Sequence, residues 1–423
     1  MITRTVVIWA LYLTISRVVL AAPDGQRCAT VSRDNLVSCA LSASFALKRA
    51  EQDGKALEGR AMSARPWLPS NPMVSGSLAR RLTNGSNPTT TNWTATLAQE
   101  LDLSGQRGAR VGAAENDALA QKWRTVGTAR DAAALAWLAY FDTLASKEDL
   151  ALAAALQSSA ETLSLSAAAR ARNGLLPQID ADVADIAFIK AQQARMQAEL
   201  RNDYARARLT MMTGGATDSD VAVQNDTLRP LASAESAAPA EMTSNRPELR
   251  ALQLEQKAFA ARASLFRRAR VPNITLSAFA QNDGYDERVY GFGLGLPLAI
   301  PGLGKTYAGD IAEAEAMAEK TQVDTQRVQR EVSLELRRTR QQLDARRREL
   351  TLFDDTKAIR IEKMLAEITT EQEAGRFSIR DAVIARERLT EFLQGRIEAK
   401  HALCVASVEH AQAAGVPLEK GAQ

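Results

Sequence analysis

Residues 92–103 alternate, with Trp93, Ala95, Leu97, Leu101 and Leu103 on one side and Thr94, Thr96, Glu100 and Asp102 on the other. A two-residue period predicts a strand with one apolar and one polar face. A strand over 73–82 precedes it across Asn84-Gly85-Ser86-Asn87-Pro88, a cluster of turn-forming residues, so the two predict a hairpin. The pattern returns in the second half. Ile274, Leu276, Ala278 and Ala280 share a face of a strand over 273–281. Tyr290, Phe292, Leu294, Leu296 and Leu298 do so in its partner over 289–299, and Asn282-Asp283-Gly284 forms the turn between them.

The rest of the pattern is helical. From Ala113 to Asn173 there is no proline and a single glycine, Gly127, and from Asp310 to Ala374 there is neither. At 1.5 Å per residue, helices over 106–173 and 305–374 would each extend about 90 to 100 Å. Val328, Val332, Leu336, Leu343 and Leu350 recur at spacings of four and seven among Arg, Gln and Glu, a narrow seam that must pack on another helix. Each long helix stops at a glycine, in Arg172-Asn173-Gly174-Leu175-Leu176-Pro177 and in Ala374-Gly375-Arg376-Phe377. Return helices follow over 178–213 and 378–414.

The glycine and aspartate punctuation also repeats: Gly174, Asp180 and Gly214 recur 201 residues later as Gly375, Asp381 and Gly415. The chain therefore reads as an internal duplication, with one repeat over 23–214 and a second over 246–415. A surface linker rich in Ala, Ser, Asp and Pro covers 215–245, and 416–423 form a tail. Residues 1–22 read as a secretory signal peptide: Arg4, an apolar run from Val6 to Ile15, then small residues at Ala21 and Ala22. Aromatic residues make up only 5% of the chain, which suits long helices better than a dense core. The net charge of +3 implies neither nucleic acid nor anionic membrane as a partner. Of the three cysteines, Cys28 is free, lipidated or bridged to Cys39, and Cys404 reads as a small buried side chain.

No apolar run is long enough for a spanning helix, so a membrane crossing would have to be a β-barrel. Four strands leave two bare edges, and unpaired backbone groups in lipid cost several kcal/mol each. Subunits must then close the barrel together. The alternative is a small soluble sheet on a periplasmic coiled-coil scaffold.

Several phrases, in this order, resemble the outer membrane efflux protein (TolC) family and its heavy-metal branch of CzcC-like and CusC-like proteins. They are Gln99-Glu100-Leu101-Asp102-Leu103-Ser104-Gly105-Gln106-Arg107-Gly108-Ala109-Arg110, Arg246-Pro247-Glu248-Leu249-Arg250, Pro272-Asn273-Ile274-Thr275-Leu276 and Leu296-Pro297-Leu298. Gly375 with Asp381, and Gly174 with Asp180, are similar to the family's periplasmic turns. The resemblance implies a mainly α chain with transmembrane β: a homotrimer whose four strands per subunit complete a 12-stranded barrel in outer-membrane lipid, above a helical periplasmic tunnel. It implies a passive duct for heavy-metal cations, partnered by a periplasmic adaptor and indirectly by an inner-membrane RND pump. A duct for organic compounds or secreted proteins is the second reading. The adaptor-contact tips would be Arg172, Asn173, Gly174, Leu175 and Leu176, with Gly375, Arg376 and Phe377. Asp381 matches a gate position whose companion three residues on is Ile384 here, and Asp180, Asp182 and Asp185 are further gate candidates. An aspartate near a helix start also serves simply as a cap.

Other candidate chemistry falls away. Pro301-Gly302-Leu303-Gly304-Lys305-Thr306 imitates a phosphate loop, but Ala299 stands where its first glycine belongs. His401 and His410 are nine apart, off ligand spacing, and no Cys/His cluster or catalytic triad can be assembled. Arg337-Arg338 and Arg346-Arg347-Arg348 read as a solvated helix face rather than a nucleic-acid site. The expectation is no enzyme, no cofactor and no metal site.

Overall fold

The computed structural model describes residues 28, 30–81, 90–215, 222–223, 226–232, 246–283, 287–297, 305–373, 378–416 and 418. The expected signal peptide, the turn at 84–88, Gly284, Leu298, the glycine loop at 301–304, Gly375 to Phe377, most of the linker and nearly all of the tail lie outside them.

The alternating segments form one antiparallel sheet of β2 (Met73–Arg81), β3 (Thr90–Leu101), β5 (Ile274–Asn282) and β6 (Arg288–Gly295), in that spatial order. The register places Val74, Leu97, Ala278 and Phe292 in one row across the four strands. That face is bare in the single chain: Val74, Leu78, Leu294 and Phe292 are 78%, 78%, 70% and 93% exposed. Thr94, Thr96, Ser277 and Gln281 alternate onto the opposite face. Phe279 also sits there, opposite Gly291, whose missing side chain leaves room for the ring: a Cβ at Gly291 would lie 2.4 Å from the Phe279 Cζ.

Below the sheet run α2 (Phe45–Ala64), α3 (Gln106–Arg172), α4 (Gln178–Thr213), α5 (Pro247–Ala269), α6 (Ala308–Leu352), α7 (Asp355–Glu373) and α8 (Ile379–Ala414). Along α3, 67 residues long, the buried positions are mostly alanine, which lets neighbouring backbones approach closely. The seam on α6 is as expected, with Val332 and Leu343 buried. Both return helices end on left-handed glycines, Gly214 (φ 73°) and Gly415 (φ 80°).

Three features differ from the sequence expectation. The helix expected over 305–374 is interrupted at Phe353 and Asp354: Asp354 caps α7 by accepting the Thr356 amide at 3.2 Å. Phe353 turns onto Phe392 of α8 at 5.1 Å between ring centres, in space that Gly395 keeps open. Each repeat is expected to open with one helix before its first strand, and the first opens with two, α1 (Leu36–Ala43) and α2, divided at Ser44. The stretch read as a surface linker is partly docked. Its β4 (Ala222–Val223) pairs in parallel with β1 (Thr30–Val31), Leu228 and Leu231 are buried, and the Leu231 amide donates to Ser407 Oγ at 2.9 Å.

These pieces surround the main core at mid-height, where Trp137, Tyr140 and Phe141 of α3 meet Leu209 of α4 and Cys404 and Val408 of α8. Cys28 and Cys39 are joined by a disulfide, with Cα atoms 6.1 Å apart, which leaves Cys28 no sulfur for a lipid. Asp226 closes the clasp, accepting from Arg33 Nε at 2.5 Å and from the Tyr140 hydroxyl at 3.0 Å.

Burial opposes the charged form of Asp226. Hydrogen bonds from Arg33, the Thr227 amide and Tyr140, with the Arg33 charge, outweigh it and hold the carboxyl below the usual range. A depressed carboxylate contributes stability above its unfolded pKa and loses it as pH falls through the folded one. The clasp is therefore intact at neutral pH and loosens in acid. Asp226→Asn should loosen it at neutral pH and blunt the acid response, read as tryptic cleavage after Arg33 by mass spectrometry.

Gly291→Val should lower the temperature at which the purified protein melts, since overpacking costs roughly 1 to 3 kcal/mol. Phe279→Ala added to it should restore that temperature. Gly295→Ala, where a Cβ meets Thr275 only at an ordinary 3.5 Å, should change it little.

Candidate functional site

The end of the helices far from the sheet is built by the α3–α4 turn. The Leu175 amide donates to Arg170 O at 2.9 Å and the Gly174 amide to Ala171 O at 3.0 Å, with Gly174 at φ 69°. This paired closure satisfies the last carbonyls of α3 and requires the left-handed residue that glycine supplies. Pro177 then sets an extended entry to α4. The turn leaves Leu175 and Ile179 at 70% and 63% exposure, while Leu176 packs inward. Arg172 and Asn173 are exposed beside them.

The tip of the first hairpin rests on the start of α8. Leu163, Ala167, Ala181, Ala184 and Ile379 form one small core with Leu176 and Val383 against it, so the two repeats meet at this end. Gly375, Arg376 and Phe377 lie outside the described residues.

Three of the four aspartates read as gate candidates have a side-chain partner within the chain. Ser378 Oγ accepts the Asp381 amide at 3.1 Å and donates to Asp381 Oδ2 at 2.6 Å, a reciprocal cap on the first turn of α8. Asp182 accepts from Gln178 at 2.9 Å and Asp185 from Ser164 Oγ at 3.3 Å. Asp180 sits half-buried in the first turn of α4, with its amide bonded to Pro177 O. The cap geometry of Asp381 is thus complete within one chain. Ile384 is 52% exposed, an apolar side chain only half covered by its own chain.

Higher up, between α3, α4 and α8, lies a cleft of about 410 Å³ lined by Leu156, Ala160, Val183, Ile186 and Val383. Arg386 crosses it to donate to Ser159 O at 3.1 Å.

The histidines are structural. His401 Nε2 meets Asp142 Oδ1 at 2.8 Å, and Arg208 donates to the other Asp142 oxygen at 2.9 Å, which ties α3, α4 and α8 together. His410 Nδ1 lies 3.2 Å from Thr339 Oγ1, and burial, aided by the Arg340 charge, lowers its pKa. Burial pushes the Cys404 thiol up to about 12, so it is inert at neutral pH. Among the described residues no cluster could hold a metal ion, and no helix is long and apolar enough to cross a membrane.

The profile of the outer membrane efflux protein family matches residues 36–215 and 238–416, one match per repeat. No curated protein matches the sequence. Among solved structures, the fold is similar to the outer-membrane channel OprN at 15% identity, TM-score 0.75, covering 92% of this chain and 90% of that one. CusC, described for transmembrane channel formation, is similar at 15% identity and TM-score 0.73, covering 91% and 92%. The open state of the Neisseria gonorrhoeae MtrE outer membrane channel is similar at 15% identity and TM-score 0.75, covering 92% and 91%.

Removing the cap or the turn glycine should act locally. Ser378→Ala should cost about 1 kcal/mol at the start of α8, and Gly174→Ala a similar amount for the left-handed backbone. Hydrogen exchange should quicken at 379–384 for the first and at 170–176 for the second, with the mid-height core unchanged.

Proposed function

The chain belongs to the outer membrane efflux protein family, and from that premise we propose that three copies form the exit duct of a tripartite efflux assembly that carries heavy-metal cations. It is an outer-membrane channel protein with a periplasmic helical extension, and it is not an enzyme. That placement overturns the soluble-scaffold alternative.

The observation that carries the reading is the sheet. One face presents Val74, Leu78, Leu97, Phe292 and Leu294 outward, and its outer strands β2 and β6 each have one partner within the chain. Such a face suits lipid, and such edges must be closed by other subunits. A three-fold ring would give 12 strands, while α3, continuous for 67 residues, would reach about 100 Å into the periplasm.

In this reading the exposed Leu175 and Ile179 at the α3–α4 tip, with the turn at Gly375, meet the hairpins of a periplasmic adaptor, which couples the duct to a proton-driven pump. Adaptor binding favours a splayed arrangement of the tips over a closed one, a shift between two states. Asp381 and Ile384 face the constriction, with Asp180, Asp182 and Asp185 supplementing its charge. The preference for metals rests on the sequence phrase from Gln99 to Arg110. The likenesses to CusC and to MtrE, each at 15% identity, bear on the fold alone and not on the substrate.

A deletion strain complemented with wild type or with Gly375→Pro, at matched outer-membrane levels, tests this. Metal sensitivity rescued only by wild type is the expected result. Sensitivity to detergents and drugs alone would favour the organic-compound duct.

A further inference from the structure

Between α2 and β2, residues 65–72 cross from the helical tunnel to the sheet, and this segment is built to hold an aromatic side chain outward. Trp67 is 80% exposed and Leu68 41%. An exposed indole on a loose loop would need no explanation. This one is fixed. The guanidinium of Arg107 lies 4.4 Å from its ring centre, and Arg107 Nε donates to Arg65 O at 2.9 Å. Arg110 donates to Ala64 O and Pro66 O, both at 3.2 Å, so two arginines of α3 cap the final carbonyls of α2. Gln99 of β3 donates to Ser70 O at 3.0 Å and fastens the other end.

The position of this platform suggests its partner. β2 begins at Met73, a few residues after Leu68, and its bare apolar residues Val74 and Leu78 lie on the face read as meeting lipid. Trp67 therefore stands at the periplasmic margin of that face. The opposite margin carries aromatic residues too, Trp93 and Tyr290, near the other ends of β3 and β6. Three guanidinium groups, of Arg65, Arg107 and Arg110, lie around Trp67 against two carboxylates, Glu115, which pairs with Arg65 at 3.1 Å, and Asp102, which accepts the Arg107 amide at 2.9 Å, so the local balance is cationic. An amphipathic ring beside guanidinium groups suits the headgroup level of a phospholipid layer, where the indole lies among the upper acyl carbons and the cations meet phosphate.

We propose that the Trp67 platform is a membrane-surface anchor that binds glycerophospholipid headgroups of the inner leaflet and sets the height of the barrel above the tunnel. The proposal rests on the outer-membrane channel reading, and Trp93 separates the two.

The oligomer is reconstituted in phosphatidylethanolamine and phosphatidylglycerol vesicles containing lipids brominated at shallow or deep acyl carbons. Emission lost in Trp67→Phe, and separately in Trp93→Phe, isolates each indole. The expected result is that most Trp67 emission is quenched by shallow bromines and less by deep ones, with Trp93 quenched as well. Trp67 emission reached only by aqueous iodide, or shielded from both quenchers as in a subunit contact, overturns the anchor while Trp93 remains quenched. If Trp93 is also untouched by bromolipid, the channel reading fails and the anchor with it. Should Trp67→Phe not assemble, a spin label on Leu68→Cys reads the same site: accessibility to oxygen above that to a water-soluble nickel complex supports the anchor, and the reverse overturns it.

Discussion

The rest of the molecule depends on one constraint, the backbone hydrogen bonding of a sheet in lipid. β3 and β5 are paired on both sides, but β2 and β6 each offer an open edge, and their outward side chains are apolar. Water would satisfy those edges at the cost of exposing Val74, Leu78, Phe292 and Leu294, and lipid would cover the side chains but leave the edges unpaired. Pairing between subunits satisfies both. In the proposed ring, everything below the sheet is then arranged around the same axis, including the paired long helices and the meeting of the two repeats at the lower tip.

Those helices are held together by small side chains rather than by a broad aromatic core. Alanine fills most buried positions of α3, and the large buried residues concentrate at mid-height around Trp137, Tyr140 and Phe141. There the N-terminal segment, β4 and the end of the chain are all gathered in. The Trp137 Nε1 donates to Leu418 O at 3.1 Å, and Arg33 reaches both Asp226 and the Phe141 ring. In the proposed duct, such a waist would let the tips beneath it move while the barrel above keeps its register.

The strands and long helices were legible because their signals are local. A two-residue period with one wet face identifies β3 directly, and a proline-free span with a seam identifies α3 and α6. The features that escaped depend on distant contacts or on quieter signals. The break at Phe353 has no glycine or proline to announce it. It is encoded by Asp354 as a cap and by Phe353 meeting Phe392 and Gly395, about one long hairpin away in the chain. The two-residue pairing of β1 with β4 is too short to show a period, and Leu228 and Leu231 lie hidden in a stretch whose composition suggested a loop. At the lower tip Gly174 was legible as the turn, whereas Ser378, expected as the first residue of the return helix, is its cap. The constriction proposed at Asp381 is formed between subunits, and contacts of that kind leave no local pattern in the sequence.

The most direct test of the central claim is oxidative cross-linking between β2 and β6. Cysteines are scanned along β2 against one replacing Phe292, in protein assembled in the outer membrane. The account predicts a ladder of covalent products that ends at three copies for the facing pair. A chain that runs as a monomer and forms no cross-link between subunits at any position would contradict closure by edge pairing.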